Sequence, residues 1–469
     1  MNRKYILIGL LVCITGIFSG CHSWLDVQPE DQVTDGQLFS TESGFRTALN
    51  GIYVELSNNA LYGGELSVDA VEILAQRYDF SGNTTNAYRL GTYNYTIDYA
   101  KSKFAAVWEK AYSLIANCNK LLEYAEKNEE VLTGKMRKMI IGEAMALRAF
   151  LHFDMLRLFG PVYATNKADL SIPYNTVYSI SATSLLPATQ VVEKVLKDLD
   201  EAERLLGESD PIIEEGPQNQ DSEDGLNYYT YRTQRLNYYA VKALMARVYL
   251  WAGQTPKAGN IANELIAHPL LGTNRILFRL YSDKITTMSD DYFTVNSENN
   301  LQLSLSQNQR KEFYETEKYE SSDNRIPSWL ILNPNTIESD ANTGRYFVSK
   351  YNQNGPMNQG IPLLRMTEIQ YICAECQAEP AKGLDYLNTV RHEYGIPAAF
   401  DLTKENCVFE EELFKEYRKS FLAEGQLFFF LKWKDYTDIP GALNIENPRK
   451  IFCFPLPDDE KEFGNLITK

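Results

Sequence analysis

Histidine is scarce in this 469-residue chain: there are four, His22, His152, His268 and His392, scattered rather than clustered. No GxSxG elbow, HExxH helix or phosphate-cradling glycine loop is present, which removes the commonest hydrolase, zinc-protease and nucleotide-binding signatures. Cysteine is short as well. Beyond Cys13 and Cys21 only Cys118, Cys373, Cys376, Cys407 and Cys453 remain, an odd number without regular spacing, so no disulfide framework is encoded. The CxxC pair Cys373 and Cys376 sits in an apolar helical pattern, LLRMTEIQYICAEC, without a second Cys pair or a His cluster. It reads as two packing cysteines rather than a redox or zinc site. Positive charge is also in deficit: the net charge is −16, which opposes binding to nucleic-acid phosphates and to anionic lipid surfaces.

One apolar run stands out, at the start. MNRKYILIGLLVCITGIFSGC has a basic head at Arg3 and Lys4, an apolar stretch from Tyr5 to Phe18, and Ser19-Gly20 before Cys21. The stretch is too short to span a bilayer comfortably and has the layout of an export signal. Residues 1–20 are therefore expected to be a lipoprotein signal, Cys21 the lipidated first mature residue, and 21–37 an extended tether. Export places the chain where thiols can oxidise. The chain as a whole is 44% hydrophobic, a globular composition, and 38–469 is read as a single helical domain.

Helical periodicity dominates that domain. KMIIGEAMALRAFLHFDMLRLFGP, at 138–161, is apolar on most of its circumference, with Glu143, Asp154 and Arg157 on a narrow polar edge and Gly160-Pro161 as a stop. Such a helix must be covered on several sides, so it is a central core element. Arg148 and Asp154 within it argue against a membrane crossing, and His152, one turn after Arg148, reads as a satisfied core residue. Further helices are expected at 39–56, 103–127, 188–206, 235–253, 361–376, 383–396 and 410–434. Ala246, Tyr249, Ala258 and Ala262 have the spacing of a tetratricopeptide repeat, with Lys242 where Trp is typical. Stacked helix pairs bury one another's faces, so the core helix pairs within 38–282 and 361–435 should form an all-α superhelix with little β.

Residues 283–360 break the pattern: Ser, Asn, Thr and Tyr dominate, and LQLSLS at 301–306 alternates as a short strand would. A segment of that length without helical periodicity reads as a functional elaboration.

Several segments, taken in order, resemble the SusD/RagB family of nutrient-uptake lipoproteins: the lipobox-like Cys21, LDVQPED, STESGFRTALNGIY, the WxxxYxxIxxxN run from Trp108 to Asn119, and EAMALRAFLHFDMLRLFGPV. NYYAVKALMARVYLWAG, LDYLNTVR, EYRKSFLAEGQLFFFLKW and FPLPDDEKEFGN continue the resemblance nearly to the end. Phe18 in the lipobox and Phe428-Phe429-Phe430, where the family often carries Arg and Asp, are departures. The resemblance implies four tetratricopeptide-like helix pairs, a less regular ligand-binding portion, an outer-membrane lipid anchor at the cell surface, and a SusC-like TonB-dependent transporter as partner. It implies an oligosaccharide or, alternatively, a peptide as ligand, and no catalytic residues or cofactor; whether a structural calcium ion orders the acidic loops is left open.

Thirty tyrosines are the compositional surplus. A sugar offers C–H faces to flat rings and hydroxyls to short polar side chains, and Tyr serves both. The expected ligand face draws on Tyr78, Asn83, Tyr88, Tyr93 and Tyr95, and on Asp291, Tyr292, Tyr314, Trp329, Tyr346 and Tyr351 in the irregular segment. Other polar Tyr clusters, such as Tyr228 to Tyr239, should also put rings at the surface. Two readings compete: an all-α glycan-degrading enzyme, for which Asp290-Asp291, Glu214-Glu215 and Glu410 to Glu412 are the available acids, and a protein-binding scaffold. Adjacent acids more often mark a solvated face.

Overall fold

The computed structural model describes residues 34–80, 85–218, 220–221, 227–271, 276–293, 303–333, 343–442 and 448–464. Cys21 and Asn83 lie outside them. Long helices follow one another: α1 (Glu42–Leu56), α2 (Asp98–Lys127), α3 (Gly134–Phe159), α4 (Ala188–Gly207), α5 (Tyr238–Trp251), α6 (Thr255–Ala267), α7 (Ile285–Phe293), α8 (Met366–Glu375), α9 (Pro380–Glu393), α10 (Phe409–Ser420) and α11 (Gln426–Trp433). The last residues of the expected tether are helical: Thr34 and Gln37 form a reciprocal capping box on a turn at Asp35–Leu38.

The central stripe is α3. From Met139 to Phe159 all but Ile141 and Met145 are buried. α2 and α4 pack along it and α5 packs against α4. Gly142 makes the α4 contact close: a Cβ there would lie 2.9 Å from Leu206 Cγ. α2–α3, α5–α6, α8–α9 and α10–α11 are helix hairpins stacked in succession, with α6 on α8 and α9 on α10. This is an all-α, tetratricopeptide-like architecture. Ala246, Ala258 and Ala262 are fully buried at the α5–α6 seam, and Lys242, in the place of the usual Trp, pairs with Glu264 at 2.6 Å.

Three readings need correction. Residues 361–365, expected to open a helix, form strand β6 (Ile361–Arg365). The β1 (Leu170–Ile172) and β2 (Leu186–Pro187) pair and the β4 (Leu330–Leu332) and β5 (Tyr346–Val348) pair are short antiparallel ladders, and β6 pairs the same way with β3 (Ile276–Leu280). Pro362 has no amide donor and suits an edge strand better than a helix. The span 410–434 is two helices. Between them Ala423 and Gly425 take φ of +57° and +72°, and the buried Glu72 carboxylate accepts from the N–H of both residues at 2.9 and 3.0 Å. A remote carboxylate that satisfies two free amides stabilises a break that periodicity cannot reveal. The expected strand at 301–306 shrinks, in its described part, to one bridge from Leu305 to Tyr346, and short helices at Gln307–Tyr314, Thr316–Tyr319 and Arg325–Trp329 fill much of the irregular segment.

The three Phe at 428–430 are core: all are buried, and the Arg157 guanidinium lies 3.8 Å from the Phe429 ring centre. The ring face thus meets a cation at the position where the resemblance implied polar groups.

Candidate ligand-binding site

The aromatic face expected from sequence does not assemble as one surface. Tyr78, Tyr314, Trp329 and Tyr351 are buried. The Tyr78 hydroxyl donates to Val68 O at 2.8 Å and that of Tyr351 to Ala423 O at 2.8 Å, while Trp329 lies beneath the Lys350 ammonium at 4.6 Å. These four are core rings. Their polar neighbours in sequence are internal partners, such as Lys350 with Glu424 at 2.6 Å. Tyr93 is half-buried at φ +61°; its hydroxyl donates to Leu74 O at 3.1 Å and accepts from the Gln76 amide at 3.0 Å. Tyr95 donates to Ile451 O at 2.6 Å. Tyr88 is half-buried on a short helix capped by Thr85, and Tyr346 sits under Arg310 at 4.5 Å. Asp291 is exposed, and the half-buried Tyr292 donates to Asn59 at 2.8 Å.

The large concavity lies elsewhere. An open groove of about 1210 Å³ runs between the outer face of α1, the turn at 227–235, the end of β3 with residues 281–286, and the residues before β6. α1 buries Phe45, Leu49, Ile52, Tyr53 and Leu56, so the helical period turns Arg46, Asn50 and Val54 outward along the groove. Opposite them stand Tyr231, Gln234, Arg279, Tyr281, Asn358 and Gln359. Tyr281 is 57% exposed, an unusual position for a ring in this chain. α7 starts in the groove with Ile285 and Thr286, but Tyr292 near its end turns to Asn59 and is not among the residues that line the groove.

The groove floor is anchored to the central helix by Glu143. This buried carboxylate accepts from the Tyr53 hydroxyl at 2.9 Å, the Tyr228 hydroxyl at 3.1 Å, Arg232 Nη1 at 2.7 Å and Arg235 Nη1 at 3.3 Å. Burial first, and the Glu143 charge second, push the Tyr53 phenol well above its ordinary value, so it stays a donor. Arg235 also reaches Asn50 across the groove, and Arg279 Nη2 donates to Gln359 at 3.0 Å. Asp221 accepts from Asn227 at 2.9 Å and from the Tyr231 hydroxyl at 3.1 Å. Among the described residues no cluster of three or more His, Cys, Asp or Glu could hold a metal ion.

Arg46, Asn50, Tyr231, Arg279 and Tyr281 were not singled out from sequence. The outward period of α1 and the polar surroundings of Tyr231 were signals; nothing local marks Arg279 or Tyr281.

A family model described as starch-binding and associating with the outer membrane matches residues 23–218. SusD-like protein P38 of Formosa agariphila is 28% identical over 208 residues, covering 43% of this chain and 38% of that protein. SusD-like protein P2 of the same organism is 23% identical over 206 residues. Over residues 23–218 the chain is similar to the SusD-like family. Its match spans only 38% of the curated relatives' length. Solved structures extend the fold likeness over nearly the whole chain. A SusD-like carbohydrate binding protein from Bacteroides vulgatus has a TM-score of 0.70 at 18% identity, covering 91% of this chain and 98% of that one. A SusD superfamily protein from Bacteroides thetaiotaomicron has a TM-score of 0.69 at 20% identity, with 90% and 98% covered. The groove is built partly outside the matched 23–218, since Asp221 and everything from Asn227 to Gln359 lies beyond it.

Proposed function

We propose that this SusD-like protein is a non-catalytic, carbohydrate-binding lipoprotein of the outer membrane that holds an oligosaccharide in the groove and passes it to a SusC-like TonB-dependent transporter. In this reading residues 1–20 are removed on export, Cys21 carries the lipid, 21–37 tether the protein, and 38–469 act as one ligand-binding domain at the cell surface. Among the described residues no helix is long and apolar enough to cross a membrane; in this reading the lipid on Cys21 provides the attachment.

The observation that carries the reading is the groove itself: about 1210 Å³, open, with the exposed ring of Tyr281 beside the side-chain amides of Asn50, Gln234, Asn358 and Gln359. A ring that meets a sugar's C–H face and amides that reach its hydroxyls are the two contacts such a ligand needs. Chemistry on the ligand is not called for. Among the described residues no histidine lines the groove, and the Asp221 carboxylate is taken up by the Asn227 amide and the Tyr231 hydroxyl.

Titration calorimetry and intrinsic fluorescence with a panel of soluble oligosaccharides test this. The protein is expected to bind at least one of them without releasing reducing ends, and Tyr281→Ala to weaken binding by about 3- to 10-fold, the loss of one stacked ring. Unaltered affinity in that variant, or new reducing ends, would refute the proposal.

A further inference from the structure

We infer that the groove selects an acidic oligosaccharide, one bearing carboxylate or sulfate groups, which it grips through the guanidinium forks of Arg46 and Arg279. The inference rests on the reading of the groove as the carbohydrate site and adds the chemical class of the sugar.

Buried arginines elsewhere in this chain are matched with carboxylates. Arg148 is paired with Asp198 at 2.7 Å, Arg232 with Asp210 at 2.8 Å, Arg247 with Glu368 at 2.5 Å, Arg325 with Asp323 at 2.7 Å and Arg391 with Glu416 at 3.3 Å. A guanidinium withdrawn from water without an opposite charge is costly, and the fold provides one nearly every time. In the groove it provides one for Arg235, whose partner is Glu143. Arg46, on α1, and Arg279, on β3, are both half-buried and both line the groove, and among the described residues neither has a carboxylate partner. The Nε of each is shut off from solvent with no acceptor. Among the described residues Arg279 hydrogen-bonds the neutral amide of Gln359, and burial holds its guanidinium below the ordinary value.

Two half-buried cations on one open groove are unusual in a chain of net charge −16. The surrounding field repels anions at long range, so an acidic ligand is retained only where guanidinium forks meet it directly. The planar fork fits a carboxylate or a sulfate ester through paired hydrogen bonds. The acids on the groove do not cancel this: Asp221 is turned to Asn227 and Tyr231, and Asp283 is exposed on the rim. The ring of Tyr281 and the amides nearby favour a sugar over an acidic peptide, because they match a C–H face and hydroxyls.

Titration calorimetry on the purified protein decides it with four ligands of matched length: oligogalacturonides, sulfated galactan oligosaccharides, neutral malto-oligosaccharides and an oligoglutamate peptide. At least one acidic oligosaccharide is expected to bind about tenfold or more tighter than the neutral one. That advantage should disappear in R46Q/R279Q, survive in part in R46K/R279K, and shrink as salt is raised. Which acidic sugar binds distinguishes carboxylate from sulfate. Both glutamine substitutions fall on half-exposed side chains, and thermal melting of each variant monitors folding, with the salt dependence of the unmodified protein as an independent measure. Equal affinity for neutral sugars, an unchanged double variant, or preference for the peptide overturns the inference. Neutral sugars that bind in a Tyr281-dependent way would leave the carbohydrate reading standing while this one falls. Binding of no sugar at all would remove both.

Discussion

Single side chains in the interior carry an unusual share of the polar work, and His152 is the clearest case. Its Nε2 accepts the Asn175 N–H at 3.0 Å, which leaves the ring proton on Nδ1, 2.8 Å from Arg148 O. The ring stacks on Tyr174 at 3.9 Å between centres. Burial, reinforced by the Arg148 charge, pushes the imidazole down from 6.5 to about 3, so the residue is neutral and structural rather than a base. Folded protein therefore binds fewer protons than unfolded protein between these two values. The contribution of His152 is complete above pH 6.5 and is lost as the pH falls towards 3, by up to about 1.4 kcal/mol per pH unit within that window. Denaturant midpoints at pH 7 and pH 5 should show the fall, and His152→Gln should flatten it; identical pH profiles would refute the assignment. Glu416 works in the opposite sense. Burial alone would raise its carboxyl, but Arg325, Lys419 and Arg391 outweigh that and hold it far below the ordinary range.

At the scale of elements, local pattern was a good guide wherever a helix makes its own hydrogen bonds. The stripe in α3, the amphipathic α4 and the Ala-lined α5–α6 seam were all readable, because a period of 3.6 is written into the residues themselves. It failed where another part of the chain supplies the partners. β6 is a strand because β3 lies beside it, and α10 ends where Glu72, some 350 positions earlier in the chain, caps the free amides of Ala423 and Gly425. Gly425 fits that break doubly: its φ is +72°, and a Cβ would lie 2.1 Å from Leu66 O. Gly425→Ala should cost more than the ~1 kcal/mol of an ordinary positive-φ replacement, because backbone has to move as well. A melting temperature equal to that of the parent would show that the α10–α11 break tolerates a side chain.

For the molecule as a whole, stacked helix hairpins give a frame held by apolar burial and internal ion pairs, and cross-links are not required. All five described cysteines are free. Cys118 and Cys373 are buried, and burial pushes both thiols up to about 12, so neither offers much thiolate. Thermal melts with and without dithiothreitol should coincide; a drop in the reduced sample would mean that a disulfide forms after all. The sequence by itself determined the all-α class, the central helix, the likeness to SusD proteins and the surplus of tyrosine, because each is a matter of composition, order or near-neighbour spacing. Which tyrosines reach solvent was decided only by tertiary structure. So was the groove, whose walls meet across separations such as the 185 positions between Asn50 and Arg235 and the 80 between Arg279 and Gln359. Burial and concavity arise from packing between distant segments, and no local period encodes them.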